Sequence, residues 1–232
     1  MSGEVRRSTS EIVFKPFMKI GLITLMAFLV NASFAQTCIH TGLSKNFDFK
    51  ITKRIINADS NKVTILIQIY YKNDHRLVQS IRYTSYDLYT EDFKHVSHDC
   101  SFITGKNKNA GVADGNYGDI VVADFNFDGR EDFAVKKFEP ADTGPTYYFY
   151  LQTDKGFKQD DFLSDSVDYI PAVLNVKRHT LVTAVAVAMG VTLRKYNYDP
   201  LKEKWRRVSE MRFDNNENRD KDPDKILKKL KQ

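Results

Sequence analysis

Oxygen-bearing side chains recur on alternate residues in one short stretch, DFNFDGRED, which spans positions 124–132. Calcium takes roughly 6–8 oxygen ligands at ~2.3–2.6 Å, and a tightly curled loop is what brings that many oxygens together. Gly129 follows the third of these residues and permits a positive φ at a sharp turn. The spacing predicts a calcium site in which four side chains and the main-chain carbonyl of Arg130 are ligands, the side chains being Asp124, Asn126, Asp128 and Asp132.

The flanks of this stretch indicate that it joins two strands. An EF-hand loop ends with a glutamate at its twelfth position, whereas the twelfth residue counted from Asp124 is Val135. The apolar runs 120–123 and 133–135 are short and typical of β-strands. The alternative is an ordinary hairpin turn, since Asp-Gly between hydrophobic residues often forms one. Three crowded carboxylates would repel each other without a cation, so the pattern favours calcium.

The amino-terminal region predicts export. Residues 18–35 combine a positive charge at Lys19, an apolar core too short to span a bilayer, and small residues at 33 and 35 that suit signal cleavage. We expect the mature chain to begin at Gln36 in the periplasm or outside the cell, with no stable membrane span. The alternatives left open are an initiator at Met18 and a retained anchor. Three segments follow: leader 1–35, β domain 36–213, and a charged tail 214–232 that we expect to be disordered.

An oxidising compartment affects how the two cysteines are interpreted. Cys38 and Cys100 are the only cysteines of the chain, and export favours a disulfide between them. Closing a loop of that length would stabilise the fold by about 4 kcal/mol from chain entropy. Two separate thiols are the alternative. Zinc is a further one, because His95 and His98 lie close to Cys100 in the sequence.

Strand patterns follow one another through the mature chain. Residues 63–71 alternate, with the odd positions forming an apolar face, and 77–83 returns after the Asn73-Asp74 turn. The valine-rich run 181–187 indicates a central strand rather than a helix. The calcium motif occurs once, which argues against a propeller with one motif per blade. The predicted fold is all-β: one antiparallel sandwich, or a compact barrel-like sheet pair, of about eight strands.

Several function classes lack support in the sequence. It contains no Gly-x-Ser-x-Gly elbow, no phosphate-binding glycine loop and no HExxH zinc helix, so an enzyme is the least supported class. The formal charge of +5 falls by two, to +3, once residues 1–35 are removed. A balance this mild, without a basic stripe or reading motif, does not indicate a nucleic-acid partner.

The calcium stretch resembles the DxNxDGxxD loop of FG-GAP/VCBS-type extracellular proteins. The wider region 47–213 is similar to calcium-binding periplasmic β proteins related to the periplasmic inhibitors of invertebrate-type lysozyme. Three features carry this resemblance in order: the loop, the segment 144–151 (GPTYYFYL), and a late strand pair that reaches Lys204-Trp205.

This resemblance implies a second functional loop. Thr143, Gly144 and Tyr147 match the Ser-Gly-x-x-Tyr motif that such inhibitors insert into the lysozyme cleft, with threonine in the place of serine. The implied function is binding of a lysozyme or another peptidoglycan hydrolase through a protruding loop. Two alternatives stay open: a calcium-stabilised structural or adhesion module with no inhibitory activity, and a Tyr147 that belongs to the core.

Overall fold

The protein is described from a computed structural model that covers 35–57, 62–86, 113–115, 120–138, 143–187, 190–214, 225 and 227–228. The predicted leader up to residue 34, and the His95, His98 and Cys100 group, lie outside these residues. No helix within the covered ranges is long and apolar enough to cross a membrane.

The described residues form thirteen strands in two sheets. The larger sheet has the order β1-β2-β3-β4-β7-β6-β5, with β8 paired to β7 and β9 paired to β8. All its pairings are antiparallel except one register position between β4 and β7. Its strands are β1 (Ala35–His40), β2 (Phe47–Asn57), β3 (Lys62–Tyr71), β4 (Leu77–Tyr86), β5 (Ala113–Gly115), β6 (Ile120–Ala123), β7 (Asp132–Phe138), β8 (Thr146–Thr153) and β9 (Gly156–Gln159).

The smaller sheet is an antiparallel meander with the order β10-β11-β12-β13. The run predicted as a central strand forms β11, which has a neighbour on each side. A short helical turn, Leu163–Val167, precedes this sheet, where the polar segment leaves the strand pattern. The strands are β10 (Val173–Asn175), β11 (Thr180–Val187), β12 (Gly190–Asp199) and β13 (Lys204–Asp214).

The predicted alternation of β3 is confirmed. Val63, Ile65, Ile67 and Ile69 are all buried, whereas the residues between them are partly exposed. Successive side chains of a strand point to opposite faces, so one face of β3 joins the core. Together with apolar residues of β2, β6, β7 and β9 they form a first hydrophobic cluster within the larger sheet.

A second cluster, here called the shared cluster, contains side chains of both sheets. From the larger sheet it includes Phe125, which follows β6, and Phe149 of β8, and from the smaller sheet Leu181, Tyr196 and Trp205. Burial of aromatic rings contributes most per residue to such a core. The stretch 124–132 lies beside this cluster because Phe125 is part of it.

The structure extends the predicted topology in three places. There are thirteen strands among the described residues, not about eight, because β1, β5 and β9 are short or weakly patterned. In β1 the polar His40 is buried and the apolar Ile39 is 51% exposed, so hydrophobic alternation predicts the opposite face. In the predicted tail, Leu227 packs against a third cluster formed by residues of the smaller sheet, namely Val173, Val182, Leu193 and Phe213.

Candidate calcium-binding loop

The loop 124–131 connects two paired strands, as predicted. Ala123 at the end of β6 lies opposite Asp132 at the start of β7. Phe125 is fully buried, and its ring contacts the Phe149 ring edge-to-face at 4.9 Å between centroids. Gly129 has a φ of +83°, and a Cβ placed there would meet no atom within 4 Å. The glycine is therefore needed for its conformation and not for space.

Side chains of the alternate residues curl the loop. The Asp124 carboxylate accepts hydrogen bonds from the main-chain N–H groups of Asp128 (3.1 Å) and Gly129 (2.9 Å). The Asn126 Oδ1 accepts a second bond from the Asp128 N–H at 3.2 Å, and Asp128 Oδ1 accepts from the Arg130 N–H at 2.8 Å. Such Asx turns are a local property of these residue types. They hold residues 124–130 in one tight turn.

Asp132 is the most deeply placed of the predicted ligands. Its side chain is inaccessible to solvent, and its two oxygens accept the N–H groups of Phe125 and Gln152, each at 2.8 Å. Burial, together with the nearby charges of Asp128 and Asp124, raises the pKa of Asp132 to about 7 against the opposing effect of these N–H groups. Burial also raises the pKa of Asp124. The loop thus holds a buried carboxyl group whose negative charge is unfavourable.

Arg130 has a role beyond the predicted carbonyl. Its guanidinium contacts Asp128 Oδ2 through Nε (2.9 Å) and Nη2 (2.8 Å), and contacts Asp154 Oδ1 through Nη1 (3.0 Å). Burial acts to raise the pKa of Asp128, but the hydrogen bonds from Arg130 and Asn126 outweigh it and the pKa is lowered. The positive charge next to Asp128 is therefore supplied by Arg130.

The ligand set fits a hard cation in its chemistry. The five predicted ligands, Asp124, Asn126, Asp128, Arg130 and Asp132, belong to the loop and the first residue of β7, and their predicted ligating atoms are all oxygens, which calcium prefers. Across the described ranges, however, no three or more His, Cys, Asp or Glu side chains are grouped closely enough to hold a metal ion. The carboxylate oxygens of Asp124 and Asp128 accept hydrogen bonds from main-chain N–H groups of the loop, and Asp128 also pairs with the Arg130 guanidinium. To coordinate calcium, Asp128 would have to exchange this guanidinium for the ion.

Glu131 is a structural residue of the loop that the sequence analysis did not identify. Its carboxylate accepts hydrogen bonds from the Ser44 hydroxyl (2.8 Å), from the Lys45 N–H (2.9 Å) and from the Asn46 N–H and side-chain amide (3.3 and 3.2 Å). These donors belong to the connection between β1 and β2. Of the two adjacent acids, Glu131 therefore faces away from the turn and Asp132 faces into it. The spacing of the motif selects Asp132 as the ligand, but nothing local in the sequence indicates the partners of Glu131.

Phe127 is a second residue of the loop that the sequence analysis did not identify. It lies between two predicted ligands with a φ of +62°, in the left-handed region that costs a residue with a Cβ about 1–2 kcal/mol. Its ring stacks on His179 at 5.6 Å and contacts Trp205 at 5.9 Å, and both of these residues belong to the region of the smaller sheet. The loop thus makes contact with both sheets.

The predicted interaction loop divides into two parts. Thr143 and Gly144 are partly exposed, and Gly144 has a φ of +80° with open space around it. Tyr147 is 3% exposed and belongs to the shared cluster, and its N–H donates to the Asp168 carbonyl at 2.7 Å. The prediction of Tyr147 as a surface anchor is therefore wrong for this structure, because strand alternation turns the side chain inward. The core alternative describes its position.

The disulfide prediction concerns one described residue. Cys38 is buried on β1, 5% exposed, and lies opposite Ile51 of β2. Cys100 lies outside the described residues, so the pairing stays a prediction.

No protein family, curated protein or solved structure matches the chain.

Proposed function

We propose that this chain is an exported β protein that binds one calcium ion in the loop 124–132. The observation that carries this proposal is the buried Asp132 carboxyl, next to the charges of Asp124 and Asp128 in a loop that supplies only oxygen ligands. A divalent cation would remove the repulsion between these groups and would compensate for the burial of charge. The Asn126 amide and the Arg130 carbonyl would complete the protein's part of the ligand set.

The expected effect of the ion is stabilisation of the native domain. A ligand that binds only the folded state, present at 100 times its dissociation constant, stabilises it by about 2.7 kcal/mol. The loop contacts β8 through Asp132 and the β1–β2 connection through Glu131. Its Phe127 reaches the smaller sheet, and the shared cluster supports the sandwich-like arrangement expected from the sequence. Calcium bound there would therefore stabilise contacts on several elements at once.

Calorimetry tests this proposal directly. The purified protein, freed of metal with EDTA, is titrated with CaCl₂ and, as a control, with MgCl₂, and its thermal unfolding is followed in both conditions. We expect binding heat for calcium at a stoichiometry of one and a higher melting temperature in calcium than in EDTA. Absence of calcium heat together with unchanged melting would show that the loop is an ordinary hairpin connection.

A second function is proposed from the resemblance to periplasmic lysozyme inhibitors: binding of a lysozyme or another peptidoglycan hydrolase. The supporting observation is the partly exposed turn Thr143-Gly144-Pro145 ahead of β8, in which Gly144 has a positive φ. A threonine hydroxyl can hydrogen-bond to catalytic carboxylates, and a glycine allows close approach of the backbone. The alternative is a calcium-stabilised structural or adhesion module with no inhibitory activity.

A lysis assay separates these two functions. Lysozymes of the invertebrate, goose and chicken types are mixed with the protein, with and without EDTA, and cell-wall lysis is recorded. Inhibition of one type that is weakened by Thr143→Ala supports hydrolase binding through this turn. If all three types remain fully active, the structural module is the function that remains.

Export is the remaining part of the proposal. Mass spectrometry of protein from the native host should find a chain that begins at or near Gln36, and thiol labelling after denaturation should find Cys38 and Cys100 oxidised. A chain that retains Met1 or Met18 and occurs only in the cytoplasm would refute both the export and the argument for the disulfide.

A further inference from the structure

One aromatic ring of the loop reaches the smaller sheet. Phe127 stacks on His179 with an interplanar angle of 22°, and its ring centroid lies 5.9 Å from that of Trp205. Trp205 in turn contacts Tyr198 at 5.0 Å. These four residues are here called the aromatic cluster. It connects the strand-to-strand loop of one sheet to β12 and β13 of the other.

Backbone interactions also link the residues of this cluster. The Tyr198 N–H donates to the His179 carbonyl at 2.8 Å, and Tyr198 lies opposite Trp205 in the register of β12 and β13. His179 itself has a φ of 50° and directly follows a second short helical turn, Val176–Arg178, which precedes β11. His179 and Trp205, the two rings that contact Phe127, are therefore positioned together with Tyr198 by the smaller sheet.

Phe127 lies in a conformation that the loop needs and that its side chain does not favour. It separates the ligand positions Asn126 and Asp128, and its positive φ reverses the chain between them. A bulky residue at φ above zero marks a site where surrounding structure imposes the conformation. The ring contacts with His179 and Trp205 supply such a constraint from outside the loop, in addition to the main-chain hydrogen bonds that Asp124 and Asn126 accept within it.

We propose that Phe127 is a positioning residue for the calcium site: its contact with His179 and Trp205 holds the loop in its ligand-presenting conformation, and calcium binding in turn orders the aromatic cluster. The inference rests on the proposed calcium function and extends it to the smaller sheet. Coupling between two sites is reciprocal, so a contact that favours calcium is itself favoured by calcium. The calcium site and the aromatic cluster share one structural element, the backbone turn at 126–128.

Trp205 makes this coupling measurable because it is the single tryptophan of the chain. Trp205 is 8% exposed, and its ring lies beside that of Phe127. A change in the packing of Phe127 should alter the tryptophan emission and its quenching by acrylamide. Fluorescence therefore reports on the packing around Trp205 in the smaller sheet, whereas calorimetry measures calcium binding to the loop.

The test compares Phe127→Leu with Phe162→Leu. Both replace a partly buried phenylalanine at the shared cluster, but the Phe162 ring contacts Tyr196 at 6.0 Å and has no ring contact with the aromatic cluster. Calcium is titrated into the metal-free protein by calorimetry and by Trp205 emission. In the wild type we expect the two titrations to coincide. Phe127→Leu should weaken calcium by about fivefold or more and abolish the emission change, whereas Phe162→Leu should leave both unchanged.

Phe127→Tyr is the conservative control and should restore both affinity and emission response, because the ring is retained. Calcium heat without any emission change in the wild type, or equal affinities of wild type and Phe127→Leu, would overturn the coupling and leave the calcium proposal intact. Absence of calcium heat in the wild type would overturn both. If Phe127→Leu does not fold, His179→Ala removes the stacked partner from the other side and should weaken calcium and reduce the emission change, whereas wild-type behaviour of that variant would overturn the coupling.

Discussion

The Glu131 carboxylate accepts a hydrogen bond of 2.8 Å from the hydroxyl of Ser44, a residue 87 positions earlier in the chain. The same carboxylate accepts the N–H groups of Lys45 and Asn46, so one acidic side chain holds the β1–β2 connection against the loop 124–131. Lys72 holds the other side of this connection by donating to the carbonyls of Thr41 and Ser44, each at 2.6 Å.

Removing Glu131 should destabilise the domain independently of calcium. In EDTA we expect Glu131→Ala to lower the free energy of unfolding by about 2 kcal/mol, because several N–H and O–H donors lose a charged acceptor. Urea denaturation measures this change. The control is a double-mutant cycle with Ser44→Ala: residues that share a hydrogen bond should be non-additive. Strict additivity of the two substitutions would contradict the contact.

Asp128 should be essential for calcium, whereas Asp154 should not be. Both carboxylates contact the Arg130 guanidinium, but Asp128 lies in the loop and the Asp154 side chain is 99% exposed outside it. Asp128→Ala should abolish tight calcium binding, as measured by calorimetry, because it removes a central ligand. Asp154→Ala should change the affinity by less than about fivefold, because exposed ion pairs contribute at most about 1 kcal/mol. Equal effects of the two substitutions would place the ion elsewhere.

The metal-free protein should lose stability as the pH rises toward neutrality. The pKa of Asp132 is raised to about 7 by burial, from an ordinary value of 3.8. Between these values the folded state keeps a proton that the unfolded state releases, so the free energy of unfolding falls with rising pH by at most about 1.4 kcal/mol per unit from this group. The contribution stops changing above pH 7.

Denaturation in EDTA at pH values from 5 to 8 measures this dependence, and Asp132→Asn is the control. The variant should show a smaller slope over this range, because asparagine does not titrate. Saturating calcium should also reduce the slope in the wild type, since the ion binds the ionised carboxylate. A wild type and variant with identical slopes would show that Asp132 is ionised throughout this range in the folded state.

Tyr147 should behave as a core residue. Its ring lies in the shared cluster, 6.5 Å from that of Phe149. Tyr147→Ala should lower the free energy of unfolding by about 3–5 kcal/mol, as large-to-small substitutions of aromatic core residues do. Thr143→Ala is the matched substitution in the partly exposed turn and should change stability by less than about 0.5 kcal/mol. A Tyr147→Ala variant with wild-type stability would show that the Tyr147 ring is not part of the core.

The sequence by itself determined the features that depend on neighbouring residues. The strand-loop-strand form at 120–135, the glycine turn at Gly129 and the alternation of β3 follow from local conformational preference and side-chain period, and the structure confirms each of them. The ligand pattern of Asp124 to Asp132 is local in the same sense. Calcium binding itself is a proposal, because it also depends on how the oxygen atoms of these residues are oriented in the folded loop.

Only the tertiary structure decided which side chains meet across the chain. The spacing assigned Asp132 to the loop site, but the partner of the adjacent Glu131 is Ser44 in the β1–β2 connection, which only the fold reveals. Phe127 contacts residues that follow it by more than fifty positions, and Tyr147 is inside because β8 presents that face to the smaller sheet. Such contacts depend on strand order and packing, which residue type and spacing do not encode locally.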